Sequence, residues 1–105
     1  MILTTTNSIE GKTITHYLGI VSDITYTATF SGSGMSLKDM FSSKKYYAAY
    51  EKSLLEAKEA VFQKLRTHAE NLKANAIVGI KVDVEPISGS MTSMISVVGT
   101  AVVVI

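Results

Sequence analysis

The sequence predicts an α+β fold, a two-layer β–α–β–β subunit in which one long helix covers an antiparallel sheet. Three observations support this prediction: a helical repeat of apolar residues in the middle of the chain, a β-prone segment before it, and two Val- and Ile-rich runs after it, joined by a Pro/Gly/Ser loop at residues 86–90. With 105 residues and no internal repeat or long linker, the chain is expected to form a single domain over residues 1–105.

The N-terminal third is rich in β-branched and aromatic residues. Residues 2–6 are predicted to form a short strand. Residues 12–30 fit either one long, bent strand or two shorter ones, because Gly19 interrupts the run and the pair Ser22 and Asp23 offers a place to bend. These segments supply the strands on the N-terminal side of the helix.

The main helix is predicted over residues 44–73, and a short helix starting at Ser36 is predicted to precede it. Apolar residues recur in the main helix at spacings of three, four and seven, which places them on one face. They are Tyr47, Tyr50, Leu54, Ala57, Val61, Leu65 and Leu72. We expect this face to pack on the sheet.

The two C-terminal strands differ in their faces. Simple alternation in the first places Ala76, Val78, Ile80, Val82 and Val84 on one face and Lys81, Asp83 and Glu85 on the other. The second, residues 91–105, has no charged residue and is apolar on both faces. Because one helix covers only one face, we expect another subunit to cover the second face and the free edges.

The expected assembly is therefore a homo-oligomer. Val97→Asp is expected to disrupt this oligomer, because an unpaired charge is costly at a closed interface. Ten Lys and Arg against nine Asp and Glu give no field that attracts nucleic acid or membranes, so neither is expected as a partner. The N-terminus lacks the pattern of a signal peptide, and we expect a cytoplasmic protein.

The sequence predicts no metal site and no cofactor. Zinc and copper sites use Cys or His at close spacing, whereas this chain has no Cys and only His16 and His68. His68 is interpreted as a packing histidine on the helix. No G-x-S-x-G motif or P-loop is present either.

Four charged residues are candidates for a ligand site. Glu51 and Lys58 fall within the apolar arc of the helix, while Asp83 and Glu85 lie on the strand face opposite Val82. The sequence supports two interpretations equally. Either the four groups converge at a subunit boundary, since ionised groups on a buried face need partners, or the arc is wider than the true contact and the charges are solvated.

Two classes of function follow. The first is an oligomeric binding or scaffold protein that holds a small ligand or a cation at subunit junctions or in a central pore. The second is an enzyme whose active site forms across the interface, with an unknown reaction. We favour the first, because no nucleophile–base pair or cofactor fingerprint is present.

Several motifs in this chain match a known family. They are Tyr17-x-Gly19-x-Val21, Tyr50-Glu51-Lys52, the block from Ala74 to Glu85, and Gly99-Thr100-Ala101-Val102. Over most of its length the chain resembles the YbjQ-like proteins, which are labelled as heavy-metal-binding but are otherwise uncharacterised. The resemblance implies a subunit similar to those of dodecins that assembles into rings, with pentamers expected, and it implies no established reaction. Lys73 stands where many members have Gly.

Overall fold

The structure, a computed structural model, describes residues 1–27, 43–87 and 92–105, with side chains from residue 47 onward in the second range. It contains β1 (Ile2–Leu3), β2 (Ile14–Tyr26), α1 (Ser43–Asn71), β3 (Ala76–Pro86) and β4 (Ser93–Val104). The short helix predicted at Ser36 lies outside the described residues. The α+β class and the β–α–β–β order are confirmed, with one long helix packed on one sheet.

The four strands form one sheet in the order β1-β3-β4-β2. The three long strands are antiparallel, with β4 in the centre. The two-residue β1 pairs in parallel with β3, opposite Ala76 and Ile77. The sheet is therefore mixed and not purely antiparallel, because the N-terminus runs alongside the start of β3 in the same direction.

The N-terminal β segment forms one long strand, which resolves the two alternatives left by the sequence. Register shifts lie between Ile14 and His16 and between Tyr17 and Gly19, and Gly19 has a φ of 125°. Ser22 and Asp23 pair regularly with β4, so the strand is irregular only in its first half.

The helix packs through a stripe of every fourth residue. Ala57, Val61, Leu65 and Ala69 are buried in one core with Ile77, Ile95, Val97 and Ala101 of the sheet. Tyr47 and Leu72 were predicted on this face but are exposed. The stripe begins only at Ser53, and Leu72 follows the last residue of α1. Tyr50 is tied to the start of β4 by a hydrogen bond between its hydroxyl and that of Ser93.

The helix ends in a Schellman turn that uses Lys73 in place of glycine. Lys73 has a φ of 67°. Its N–H donates to Glu70 O at 2.9 Å, and the N–H of Ala74 donates to Ala69 O at 3.0 Å. These two hydrogen bonds define the motif. The left-handed conformation of Lys73 costs free energy, because a residue with a side chain is strained there and glycine is not.

A β-bulge at Gly79 and Ile80 changes the faces of β3. Val78 pairs with Thr100 and Lys81 with Val98, so two residues of β3 oppose Gly99 alone, and Gly79 has a φ of 63°. The prediction that Val78 and Ile80 share a face is therefore wrong: Ile80 packs in the core beneath the helix, whereas Val78 packs on the opposite face.

Part of the second sheet face is covered within the same subunit. Ala76, Val78, Val102 and Val104 form a small core there, against which Ile9 and Ile14 pack. Gly79 N–H donates to Thr6 O at 2.7 Å and Ile80 N–H to Thr4 O at 3.1 Å, which holds the N-terminal segment along β3. The expectation that this whole face needs another subunit is wrong at this end of the sheet.

Candidate functional site

The other end of that second face has no cover among the described residues. Five apolar side chains form what we call the open face, and their exposed fractions are high: Tyr17 72%, Ile20 78%, Ile24 46%, Tyr26 56% and Val98 39%. The register places Ile20, Ile24 and Tyr26 opposite Thr100, Ser96 and Met94 of β4. This surface is therefore continuous across two strands.

The register also corrects the position of Val97. Val97 is 2% exposed and belongs to the core beneath α1, while its neighbour Val98 lies on the open face. Val97→Asp would place a charge in the subunit's own core. It would unfold the subunit and give no information about assembly.

Charges border the open face on its β3 side. Lys81 pairs with Val98, Asp83 with Ser96 and Glu85 with Met94, so all three charged side chains share the face of their β4 partners. The open face is apolar along β2 and charged along β3. As expected, Asp83 and Glu85 lie on the side of the sheet away from the helix.

One subunit does not bring the four predicted site residues together. Glu51 is exposed and Lys58 half-buried on α1, whereas Asp83 and Glu85 are exposed on the far side of the sheet. Across the described ranges, the recorded ion pair is that of His68 with Asp23, which involves none of these four. Glu51 is solvated in the single subunit, and a shared role for the four requires a neighbouring copy.

The two long strands on either side of β4, β2 and β3, differ in how their outer edges are covered. On β2, the Lys64 ammonium of α1 donates to the backbone carbonyl of Ile24 at 3.2 Å. On β3, the N-terminal segment bonds the edge only as far as Ile80. From Lys81 to Pro86, no hydrogen bond to the outer edge of β3 comes from the described part of the chain, which leaves an edge able to pair with another strand.

An Asp–His pair, which sequence reasoning missed, joins α1 to β2. His68 Nδ1 lies 2.7 Å from Asp23 Oδ2, and the side chains are 53% and 16% exposed. The oxygen is itself buried, and the contact lacks the alignment of a hydrogen bond. His68 borders a groove with Lys64 and Thr67. His68 is exposed and contacts Asp23, so it is not the packing residue predicted.

A separate cleft of about 280 Å³ lies between α1 and the N-terminal segment. Its apolar wall is formed by Leu3, Phe62 and Ile80, and two charged helix residues, Glu59 and Arg66, line it. The Arg66 guanidinium donates to Gln63 Oε1 at 3.0 Å.

The described residues do not fit a heavy-metal centre built by one subunit. The chain has no Cys. Within the described ranges, no three His, Asp or Glu side chains come close enough to hold a metal ion. His16 lies on β2 with its Nδ1 3.1 Å from Thr15 Oγ1, and His68 faces Asp23. Among the described helices, none is long and apolar enough to cross a membrane.

Fold and surfaces together define a small α+β protein whose sheet is partly uncovered among the described residues. The chain belongs to the YbjQ-like family, whose description reads "Putative heavy-metal-binding" and whose model matches residues 1–105. It is 36% identical over 110 residues to a UPF0145 protein from Acetivibrio thermocellus, which covers 99% of each chain.

The fold is similar to a solved structure of a protein of unknown function from Pediococcus pentosaceus. The TM-score is 0.61 at 22% sequence identity, and the match covers 100% of this chain and 98% of that one. At this identity the likeness supports the fold alone.

Proposed function

We propose that this protein is an oligomeric binding protein whose copies associate through the open face and hold a small ligand or a cation at the junctions between them. The observation that supports this proposal most is the open face itself. Tyr17 and Ile20 of β2 leave 72% and 78% of their surfaces in water. Such surfaces mark interaction sites when they are contiguous and bordered by polar residues.

The open face is of the right size to form the apolar centre of an interface. The exposed parts of its five side chains amount to about 500 Å². A stable interface buries about 800 Å² on each partner, of which the centre is apolar and the rim polar. Lys81, Asp83 and Glu85 supply a polar rim on one side.

A ring is the expected form of this assembly. The open face and the uncovered edge of β3 are different surfaces, and a contact between two different surfaces repeats head to tail, closing into a ring when the rotation between neighbouring copies permits it. Five subunits is the first choice, on the family resemblance.

The ligand site in this proposal lies where Asp83 and Glu85 meet a neighbour's helix. Both carboxylates border the surface that a second copy would cover, and they point away from their own Lys58. They would then contact the neighbouring Lys58 and Glu51, or form a carboxylate ring around a pore that holds cations.

Assembly is tested by light scattering at micromolar concentration. The wild-type protein should have several times the subunit mass of 11.3 kDa. Ile20→Glu, on the open face, should lower that mass because it places a charge at the interface. Ala60→Glu is the matched control, since Ala60 is exposed on α1. A monodisperse wild-type monomer, or an Ile20→Glu variant that assembles normally, would contradict the proposal.

The junction site is tested with Tb³⁺, a luminescent cation that prefers carboxylates. Asp83→Asn with Glu85→Gln should keep the oligomer and lose saturable Tb³⁺ binding, whereas Glu10→Gln, at another exposed acidic residue, should bind normally. Lys58→Met should leave assembly intact, since an apolar side chain replaces a half-buried charge. Equal Tb³⁺ binding by the wild type and the double variant would show that Asp83 and Glu85 do not form the binding site.

A second candidate, an enzyme active across the interface, is favoured by the His68–Asp23 pair. A carboxylate on Nδ1 orients an imidazole and leaves Nε2 to accept a proton. The test is hydrolysis of p-nitrophenyl acetate. In this candidate His68→Gln and Asp23→Asn both slow hydrolysis, while His16→Gln does not. Equal rates for all variants would leave the binding protein as the remaining proposal.

A further inference from the structure

We propose that the cleft between α1 and the N-terminal segment binds a short apolar zwitterion, an amino acid or a dipeptide with free termini. Arg66 receives its carboxylate, Glu59 receives its ammonium group, and Leu3, Phe62 and Ile80 contact its side chains. The site is complete within one subunit. It goes beyond the proposed function, which places its ligand at subunit junctions.

The charges of the cleft select a zwitterion. Arg66 is half-buried, and its recorded hydrogen bond to Gln63 uses one of the five N–H donors of a guanidinium. A guanidinium binds a carboxylate through two parallel hydrogen bonds. Glu59 repels a ligand that carries only negative charge, and Arg66 repels one that carries only positive charge. A ligand with one charge of each sign satisfies both.

The spacing of the two residues limits the length of the ligand. Glu59 and Arg66 are seven positions apart on α1, which is about 10 Å along the helix axis. An extended dipeptide spans about 7 Å, and a charge-assisted contact of about 3 Å at each end brings its reach to about 13 Å, so the two long side chains must lean apart by about 3 Å to hold it. By the same sum a free amino acid reaches about 10 Å and also fits, whereas a chain of four residues, at about 20 Å, is too long.

The volume and the wall set the character of its side chains. A cleft of about 280 Å³ is at the small end of ligand sites, which suits a ligand of one or two residues. The wall between the two charges is apolar, with Ile80 buried and Leu3 and Phe62 half-buried. Aliphatic side chains gain most there by leaving water.

The test is a titration of the full-length protein with leucyl-leucine, followed by the amide NMR signals of Leu3 and Ile80. The wild type should show saturable shifts. Arg66→Gln and Glu59→Gln should each weaken binding about tenfold. Lys52→Gln and Glu56→Gln, at exposed positions of the same helix, are the matched controls and should bind as the wild type does. Urea unfolding curves establish that every variant is folded.

End-blocked peptides assign each charge to its partner. Leucyl-leucine amide lacks the carboxylate, so Arg66→Gln should change its affinity less than twofold, and the same holds for N-acetyl-leucyl-leucine with Glu59→Gln. Absence of saturation up to about 10 mM peptide would overturn the proposal. So would equal losses for free and blocked peptides, or binding that appears only in Ile20→Glu, which would mean that another copy covers the cleft. A monomeric protein that binds leucyl-leucine would overturn the ring and leave this site standing.

Discussion

Gly99 gives the sharpest test of the bulge in β3. It lies on the central strand opposite Gly79 and Ile80, on the face that packs against α1. A Cβ atom at Gly99 would lie 2.7 Å from Ile77 Cγ2, 3.0 Å from Ile80 Cγ1 and 3.3 Å from Val78 O. The bulge brings two isoleucines to the same side of the sheet, and the absence of a side chain at Gly99 leaves room for both.

Gly99→Ala should therefore destabilise the protein by about 2 kcal/mol, since one of the contacts is with backbone and the two side chains are buried. In a domain of this size, that corresponds to a fall in the melting temperature of about 8–16 °C. The assay is urea unfolding followed by circular dichroism at one fixed protein concentration, because the apparent stability of a protein that self-associates depends on its concentration.

A double-mutant cycle isolates the steric contact. Ile77→Ala alone should cost about 2–5 kcal/mol, because it leaves a cavity. In the presence of Ile77→Ala, Gly99→Ala should cost at least about 1 kcal/mol less than it does alone. Gly11→Ala is the control for glycine conformation: Gly11 has a φ of +78° with nothing within 4 Å of a Cβ, so it reports backbone strain without a clash.

Two results would refute this reasoning. If the free energy of unfolding of Gly99→Ala is within about 0.5 kcal/mol of the wild-type value, the core at the bulge accommodates a Cβ atom without a steric clash. If the effects of Gly99→Ala and Ile77→Ala are simply additive, the two positions are not in steric conflict, and the cost arises elsewhere.

Three further predictions concern local contacts and metal. Asn75→Ala should cost about 1–3 kcal/mol in urea unfolding, because the Asn75 side chain bonds both the N–H and the carbonyl of Val104, each at 2.8 Å; an effect below about 0.5 kcal/mol would show that water replaces both bonds. Lys73→Gly should stabilise the protein by about 0.5–1 kcal/mol, because glycine adopts the left-handed conformation at the helix end without strain. Lys52→Gly, inside the helix, should destabilise it by a similar amount. If Lys73→Gly gives no gain in stability, Lys73 is not strained. Elemental analysis after dialysis against a weak chelator should find no stoichiometric zinc or copper, because the chain has no Cys and its two His lie on separate elements; about one retained ion per subunit would refute this, and His68→Gln would then show whether that residue is a ligand.

The helix and the order of helix and strands along the chain were predictable because their signals are local. Ala57, Val61 and Leu65 follow a helical repeat that any chain segment of this composition shows, and they are buried as predicted. The alternation of β4 between two apolar faces was also predictable from the sequence. In the structure, Val97 packs beneath the helix, and Val98 lies on the other side of the sheet. Alternation along one strand needs no knowledge of its neighbours.

The assignment of β3 to its faces was not predictable, because it depends on register. Alternation predicts that Val78 and Ile80 share a face, and the bulge at Gly79 separates them. At the bulge, Thr4 and Thr6 of the N-terminal segment accept hydrogen bonds from β3, and Gly99 of the neighbouring strand leaves room for Ile80. The hydrogen bonds of Thr4 and Thr6 join residues more than seventy positions apart.

The candidate sites divide in the same way. The sequence shows that Glu51, Lys58, Asp83 and Glu85 are charges among apolar neighbours, but only the sheet places the last two on the face away from α1. It gives no sign that His68 meets Asp23 or that Glu59 and Arg66 share a cleft with Leu3. The sequence by itself determined which segments are helix and strand, because that choice depends on neighbours along the chain. Which side chains meet was decided by tertiary structure, because a shift of one residue in strand register moves a side chain to the other face of the sheet.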